Sequence, residues 1–266
     1  MMEPRTLGYV EESCNGQLVA GQRSSSIRRV CTDSRLARPG DLFIAIRGDR
    51  FDGHDYLNDA LGQGAEAAMV SRSRLGQAKV AGPMIEVEET RDALGRLSAH
   101  YRRDFELPVI AVGGSNGKTG TKGILATVLG QRLETLSSEA SFNNDIGVPL
   151  TLLRLRKAHE AAVLEVGSNH PGEMEPLLRL IQPKYGVLTS IGREHLEFFG
   201  DLAGVIEEEG ALAEALPPDG CLFANGDIEG LEAIRARCRA TVVTVGAGEG
   251  CDWRIAGIAL DDEGTT

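Results

Sequence analysis

An apolar run, Val109 to Val112, leads directly into Gly114-Ser115-Asn116-Gly117-Lys118-Thr119. Those residue types in that order suit a phosphate chain. Glycines let backbone N–H groups turn inward around an anion, and a helix starting just after them adds the positive end of its dipole. Lys118 supplies a point charge for β- and γ-phosphate oxygens, and the Thr119 hydroxyl suits a Mg²⁺ held between them. The segment is shorter than GxxxxGK[ST], because Val112 stands where the first glycine would be. It is not GxGxxG either, so a dinucleotide fold gains no support. Two further strand ends carry groups that suit this chemistry. Val163-Leu164-Glu165 ends in a carboxylate, and His195 follows the apolar run Tyr185 to Ile191. In open α/β sheets ligands collect at the carboxyl ends of strands, which places Lys118, Thr119, Glu165 and His195 at one edge.

The elements that must hold these residues alternate regularly from Pro108 onward. Strands are expected over 109–112, 161–166, 185–191, 221–224, 241–245 and 253–260. Helices are expected over 118–131, 172–181, 202–216 and 229–239. Near-continuous apolar strands between amphipathic helices imply a mainly parallel sheet covered on both faces. Before Pro108 the pattern differs: short runs at 42–46, 67–70 and 84–87 are separated by Gly- and Asp-rich turns and a helix-like stretch at 56–63. Leu94, Leu97 and Tyr101 recur at helical spacing, with Thr90 as N-cap, and this helix reads as a connector stopped by Leu107-Pro108. The fold class is therefore α/β, a small N-terminal α/β domain over 1–88 followed by a phosphate-loop domain with a mainly parallel sheet over 89–266.

Charge narrows the partners. With 28 Lys+Arg against 39 Asp+Glu the net charge is −11, which disfavours a broad nucleic-acid or anionic-membrane surface. Phosphate ligands stay compatible, because one loop and one lysine bind them locally. The five cysteines, Cys14, Cys31, Cys221, Cys238 and Cys251, are scattered without a CxxC pair, as expected of reduced thiols in a cytoplasmic chain. No apolar run has the length of a membrane span.

Taken together, the segments resemble the Mur ligases of the peptidoglycan pathway. The resemblance rests on the shortened loop at 114–119, on Thr32-Asp33-Ser34-Arg35, Pro39-Gly40-Asp41-Leu42-Phe43 and Asp52-Gly53-His54-Asp55, and on three later segments. These are Phe142-Asn143-Asn144-Asp145-Ile146-Gly147-Val148-Pro149, Glu165 to Glu173, and His195 to Gly200. The later three favour the dipeptide-adding member over the member adding the third stem residue. The resemblance implies an ATP- and Mg²⁺-dependent amide ligase, a monomer, joining D-alanyl-D-alanine to UDP-MurNAc-tripeptide through an acyl phosphate. It further implies a uridine-nucleotide-binding first domain with Ser34 and Arg35 at the ligand. Gly114, Ser115, Asn116, Gly117, Lys118, Thr119, Asn143 and Asn144 would face the ATP phosphates, with Asn169 beside them. Thr119 and Glu165 would hold one Mg²⁺, and His195 would stand near a second.

Three departures from the family pattern stand out. Gly113 and Gly120 replace residues that are usually threonine. Glu209 stands where the family carries a lysine, commonly carbamylated, so Glu209 is expected to supply a carboxylate directly; a solvated acidic helix face over Glu207, Glu208 and Glu209 is the plainer alternative. The family's C-terminal domain has no counterpart in these 266 residues, so the central domain is expected to be incomplete and the chain alone inactive. The third-residue ligase, and a nucleotide-binding module without catalysis, stay open as other readings.

Overall fold

The short apolar runs of the first hundred residues pair into a five-stranded mixed sheet. Its strands are β1 (Gln17–Ala20), β2 (Arg29–Cys31), β3 (Asp41–Ile44), β4 (Ala67–Ser71) and β5 (Met84–Val87), in the order β1-β5-β4-β3-β2. Only β1 runs antiparallel to its neighbour. The later runs form a seven-stranded sheet that is parallel throughout. It comprises β6 (Val109–Gly113), β7 (Thr135–Ser137), β8 (Ala161–Glu165), β9 (Tyr185–Leu188), β10 (Cys221–Asn225), β11 (Thr241–Gly246) and β12 (Trp253–Arg254). Their order is β12-β11-β10-β9-β6-β8-β7. The computed structural model describes residues 1–76, 82–193, 195–256, 260–261 and 264–265. The mixed α/β architecture agrees with the sequence. The strand expected over 253–260 is realised as Trp253–Arg254, while 257–259 lie outside the described residues.

Two compact units divide the chain: Met1–Glu106 with Asp145–His159, and Leu107–Asn144 with Glu160–Thr266. The expected boundary at 88/89 thus gives way to one at 106/107. The reason lies in the helix that reads as a connector. Helix α3 (Thr90–Arg102) follows α1 (Leu7–Cys14) and α2 (Leu57–Gly62), and it buries Leu94, Leu97 and Tyr101 completely within the first unit. The Tyr101 hydroxyl donates to the Leu155 carbonyl at 2.7 Å and accepts from the Glu3 N–H at 2.7 Å. The helical segment Gly147–Leu152 also packs on α3, so chain from beyond the phosphate loop returns to the first unit. Thr90 is the first residue of α3 rather than its cap, and its buried hydroxyl donates to the Ala45 carbonyl at 2.7 Å.

In the second unit the strand order reverses at β6. The chain leaves β6 for β7 at one edge, returns to β8 beside β6, and then crosses to β9 on its other side. Such a switch point opens a crevice beyond the carboxyl ends of β6, β8 and β9. Around the sheet run α4 (Lys118–Leu129), α6 (Met174–Ile181), α7 (Leu202–Glu214) and α8 (Leu231–Arg237), whereas α5 (Gly147–Leu152) belongs to the first unit. Strand β8 is buried at every residue, including its terminal Glu165.

Helix α4 has an exposed outer face on which a Cβ added at Gly120 or Gly123 meets nothing within 4 Å. These glycines contribute no close packing, and each costs helix stability through backbone entropy. Gly123→Ala is expected to stabilise the protein by about 0.5–1 kcal/mol. An unchanged or lower urea midpoint would show that the glycine serves something other than its helix.

Candidate functional site

The loop after β6 takes its shape from two glycines. Gly114 has φ +115° and Gly117 φ +85°. At Gly114 a Cβ would stand 2.5 Å from Thr189 Oγ1 and 2.8 Å from the Ser190 carbonyl, so both sterics and backbone require glycine. The segment after β9 braces the loop. The Ser115 N–H donates to the Ser190 carbonyl at 2.9 Å, the Asn116 N–H to Ser190 Oγ at 2.8 Å, and the Gly192 N–H to Ser115 Oγ at 2.8 Å. Thr189 Oγ1 donates to the Asn116 carbonyl at 2.6 Å. Lys118 folds back over the loop, its Nζ donating to the Gly114 carbonyl and, at 3.1 Å, to that of Ser115.

Beside this loop, Glu165 gathers the site. It is 2% exposed, and its Oε2 accepts from Thr119 Oγ1 at 2.9 Å while Oε1 accepts from Asn143 Nδ2 at 3.0 Å. Lys122 Nζ lies 3.4 Å from Oε2, and the Glu165 N–H donates to Ser138 Oγ at 3.1 Å. Thr119, Asn143 and Glu165 are thus brought together as the sequence suggests, and Lys118 stands one helix residue from Thr119. Lys122 and Ser138 were not anticipated. Lys122 was findable in principle, since four residues beyond Lys118 it shares a helix face with it. The donor set suits Mg²⁺: two oxygens of hydroxyl and carboxylate type lie 2.9 Å apart. Metal–ligand distances of 2.0–2.1 Å put adjacent octahedral ligands about 2.9 Å apart.

The three consecutive glutamates of α7 serve three different purposes. Glu207 faces solvent and pairs with Arg237 at 2.9 Å. Glu208, 9% exposed, accepts from the Gly172 and Met174 N–H groups at 2.7 and 2.8 Å, which caps α6. Glu209, 4% exposed, accepts from the Gly114 N–H at 2.8 Å. The solvated-face alternative holds for Glu207 alone. A Cβ at position 113 would approach Glu209 Oε2 to 3.1 Å and Leu212 Cδ2 to 3.2 Å, so Gly113 makes the room that Glu209 occupies. Gly113 and Glu209 therefore form one local arrangement, of which Gly120 is no part.

The remaining site residues lie around the same strand ends or in the first unit. His195 takes left-handed backbone, φ +50°, at the start of the one-turn helix Leu196–Phe199. Among the described residues no group of three His, Cys, Asp or Glu converges as a metal site, so Glu165, His195 and Glu209 do not share one. The Asn169 and His170 N–H groups donate to Glu173 at 2.8 and 3.1 Å. Although burial opposes it, these bonds hold the Glu173 carboxyl below its ordinary pKa. Asn169 is thereby fixed through its backbone, and His170 stacks on Phe198 with centroids 4.2 Å apart. In the first unit Ser34 and Arg35 line a cavity of about 730 Å³ with Thr32, Phe43, Phe51 and Tyr56. The Arg35 guanidinium and N–H both bond Asp33, which holds that carboxyl below its ordinary pKa and turns the loop.

With this geometry in place, comparison with known proteins is specific. The model of the Mur ligase middle domain matches residues 112–266, and that of the Mur ligase family catalytic domain matches residues 26–102. The UDP-N-acetylmuramoyl-tripeptide--D-alanyl-D-alanine ligase of Escherichia coli (strain K12) is 39% identical over 222 residues, covering 84% of this chain and 48% of its own. MurF from Acinetobacter baumannii gives a TM-score of 0.90 at 31% identity, covering 100% of this chain and 60% of that one. MurF ligase from Thermotoga maritima, solved in complex with ADP, gives 0.79 at 29% identity, covering 90% and 54%. The chain spans about half the length of the curated relatives it matches. It belongs to the Mur ligase family.

Proposed function

We propose that this chain is the nucleotide-binding part of an ATP-dependent ligase that joins D-alanyl-D-alanine to UDP-MurNAc-tripeptide. The observation that carries the reading is the braced phosphate loop, with Thr119 and Glu165 converging beside it at the sheet's switch point, in a chain similar to ligases of that name. A carboxylate oxygen of the tripeptide attacks the γ-phosphorus of ATP, the bond to the bridging oxygen breaks, and ADP leaves. The amine of the dipeptide then attacks the acyl-phosphate carbon. A C–N bond forms, inorganic phosphate departs with its oxygen, and the amine gives up a proton. No protein nucleophile is needed, so the site acts by positioning and charge neutralisation.

In this reading the Gly117 N–H, the N–H groups at the start of α4 and the Lys118 ammonium bind the phosphates, while Gly114, Ser115 and Asn116, whose own N–H groups are bonded to Glu209 and Ser190, shape the loop. Asn143 and Asn144 border the γ-phosphate, and Asn169 lies toward the acceptor. Thr119 and Glu165 hold Mg²⁺, which supplies neutralisation of charge on the transferring phosphoryl group. His195 stands beside the phosphates on the loop that Gly192 ties to Ser115. Ser34 and Arg35 contact the uridine nucleotide in the first unit's cavity, whose volume falls in the range of small-molecule sites. Glu209 adds a carboxylate under the phosphate loop, held there by Gly114.

The reading is tested with the full protein, ATP, Mg²⁺ and UDP-MurNAc-tripeptide. Phosphate release is expected with D-alanyl-D-alanine and not with a diamino acid in its place. Nucleotide binding without phosphate release in the presence of both substrates would instead favour a non-catalytic module. Lys118→Met is expected to lower kcat by about 10²–10³ while the fold persists, as loss of a charge-stabilising group does elsewhere. A fall of less than fivefold rejects its assignment. Glu209→Ala leaves the buried Gly114 N–H without its acceptor and is expected to cost about 1–3 kcal/mol of stability. Glu209→Gln keeps an acceptor oxygen, so it should retain most of that stability and alter Mg²⁺ dependence instead. If both variants keep wild-type activity and wild-type Mg²⁺ dependence, Glu209 has no part in the reaction.

A further inference from the structure

Lys122 is a buried lysine that the phosphate loop does not use. It is 5% exposed, sits one turn beyond Lys118 on α4, and reaches the carboxylate of Glu165. Its Nζ lies 3.4 Å from Glu165 Oε2 and donates to the carbonyl of Ala140, a residue in left-handed backbone at φ +40°. A buried ammonium without a counter-charge is strongly unfavourable, and so is a buried carboxylate. Here each answers the other. Thr119 and Asn143 add two neutral donors to the same carboxylate, so both of its oxygens are engaged.

This pairing has a consequence for any cation that Glu165 accepts. One carboxylate attracts a dication, yet the ammonium beside it cancels that charge locally. A bare divalent ion therefore gains little at Oε2, whereas a polyphosphate on the loop brings several negative charges and restores the attraction. We propose that Lys122 is the resident counter-cation of Glu165, so that this carboxylate takes a divalent ion only together with a nucleotide polyphosphate. The inference rests on the reading of residues 114–119 as the nucleotide's phosphate site. Lys122 is a positioning residue in this account: it touches Glu165 and the Ala140 carbonyl, and acts on the cation through them. The bond to Ala140 gives Lys122 a purely structural alternative, the anchoring of the loop that carries Asn143, and the two are separable. A charge is needed for the first role and only a donor for the second.

The experiment measures Mn²⁺ binding to the full protein by the free-ion electron paramagnetic resonance signal, with and without ADP, and ADP binding by calorimetry. The proteins are wild type, Lys122→Arg, Lys122→Gln and Lys122→Met. Wild type and Lys122→Arg are expected to bind Mn²⁺ alone only at millimolar concentrations or above, and at least tenfold more tightly with ADP. Lys122→Gln, which keeps a donor for Ala140 without the charge, is expected to bind bare Mn²⁺ about tenfold or more tightly than wild type, as removal of a like charge at close range requires. Lys122→Met should do the same wherever it folds. Equal bare-Mn²⁺ affinity in wild type and Lys122→Gln, with ADP bound by both, overturns the role of Lys122 and leaves the nucleotide reading intact. Failure of wild type to bind ADP overturns the nucleotide reading and the inference with it. Micromolar binding of bare Mn²⁺ by wild type overturns the inference without recourse to any variant.

Discussion

Everything at the candidate site depends on keeping a carboxylate buried at the end of an apolar strand. Strand β8 is Ala161-Ala162-Val163-Leu164-Glu165, buried throughout, and its last residue carries the charge. Removing one partner from a buried ion pair typically costs about 3–5 kcal/mol, because the other charge is left uncompensated. The fold meets this requirement by bringing three segments to one point. Helix α4 contributes Thr119 and Lys122, the segment after β7 contributes Ser138 and Asn143, and β8 contributes Glu165 itself. The carboxylate thus fixes the helix after the phosphate loop against the loop bearing Asn143. Its position at the sheet's switch point also puts this carboxylate at the crevice beyond the strand ends.

Helix α7 solves a related problem with adjacent residues. Neighbouring positions on an α-helix point about 100° apart, so Glu208 and Glu209 reach different loops from one rigid element. Glu208 satisfies the Gly172 and Met174 N–H groups at the start of α6, and Glu209 satisfies the Gly114 N–H in the phosphate loop. One helix therefore sets two loops at the crevice. Gly113 fits the same arrangement, since a Cβ there would crowd Glu209 Oε2 at 3.1 Å.

The phosphate loop was legible in the sequence because its chemistry is contiguous: strand, glycines, Lys118 and Thr119 follow one another. Glu165 was legible because a carboxylate closing an apolar strand is conspicuous in a parallel sheet. Lys122, Ser138 and Glu208 were not, because each acts through contacts 18 to 43 residues away that no local pattern encodes. The three glutamates illustrate the limit well, for Glu207 looks the same as Glu209 on paper and yet faces solvent. The division of the chain is hidden from the sequence for another reason. A Leu-Pro stop is a sound local signal for the end of α3, but it says nothing about which core receives Leu94 and Leu97. Residues 145–159 rejoin the first unit after the phosphate loop, a discontinuity that a linear scan of composition cannot detect.

In a chain of net charge −11, a loop suited to anions requires that the carboxylates around it be kept apart from it or neutralised. Helix N-termini make the point. Acidic residues normally settle in the first turn, where they meet the positive end of the dipole. In α7 the N-terminus is closed by Asp201, whose side chain accepts from the Gly204 N–H, and in α6 by Glu208. Helix α4 begins differently: Gly117 caps it in left-handed backbone without a side-chain bond, and no acidic residue stands in its first turn. Its amide groups and the adjacent Lys118 are thus left to an incoming anion. Glu165, which Thr119 of that first turn bonds, is already answered by Lys122, and Glu209 is turned to the Gly114 N–H. The acidity of the chain as a whole is therefore compatible with a loop built to suit an anion, because Glu165 and Glu209 beside it are each committed to a partner.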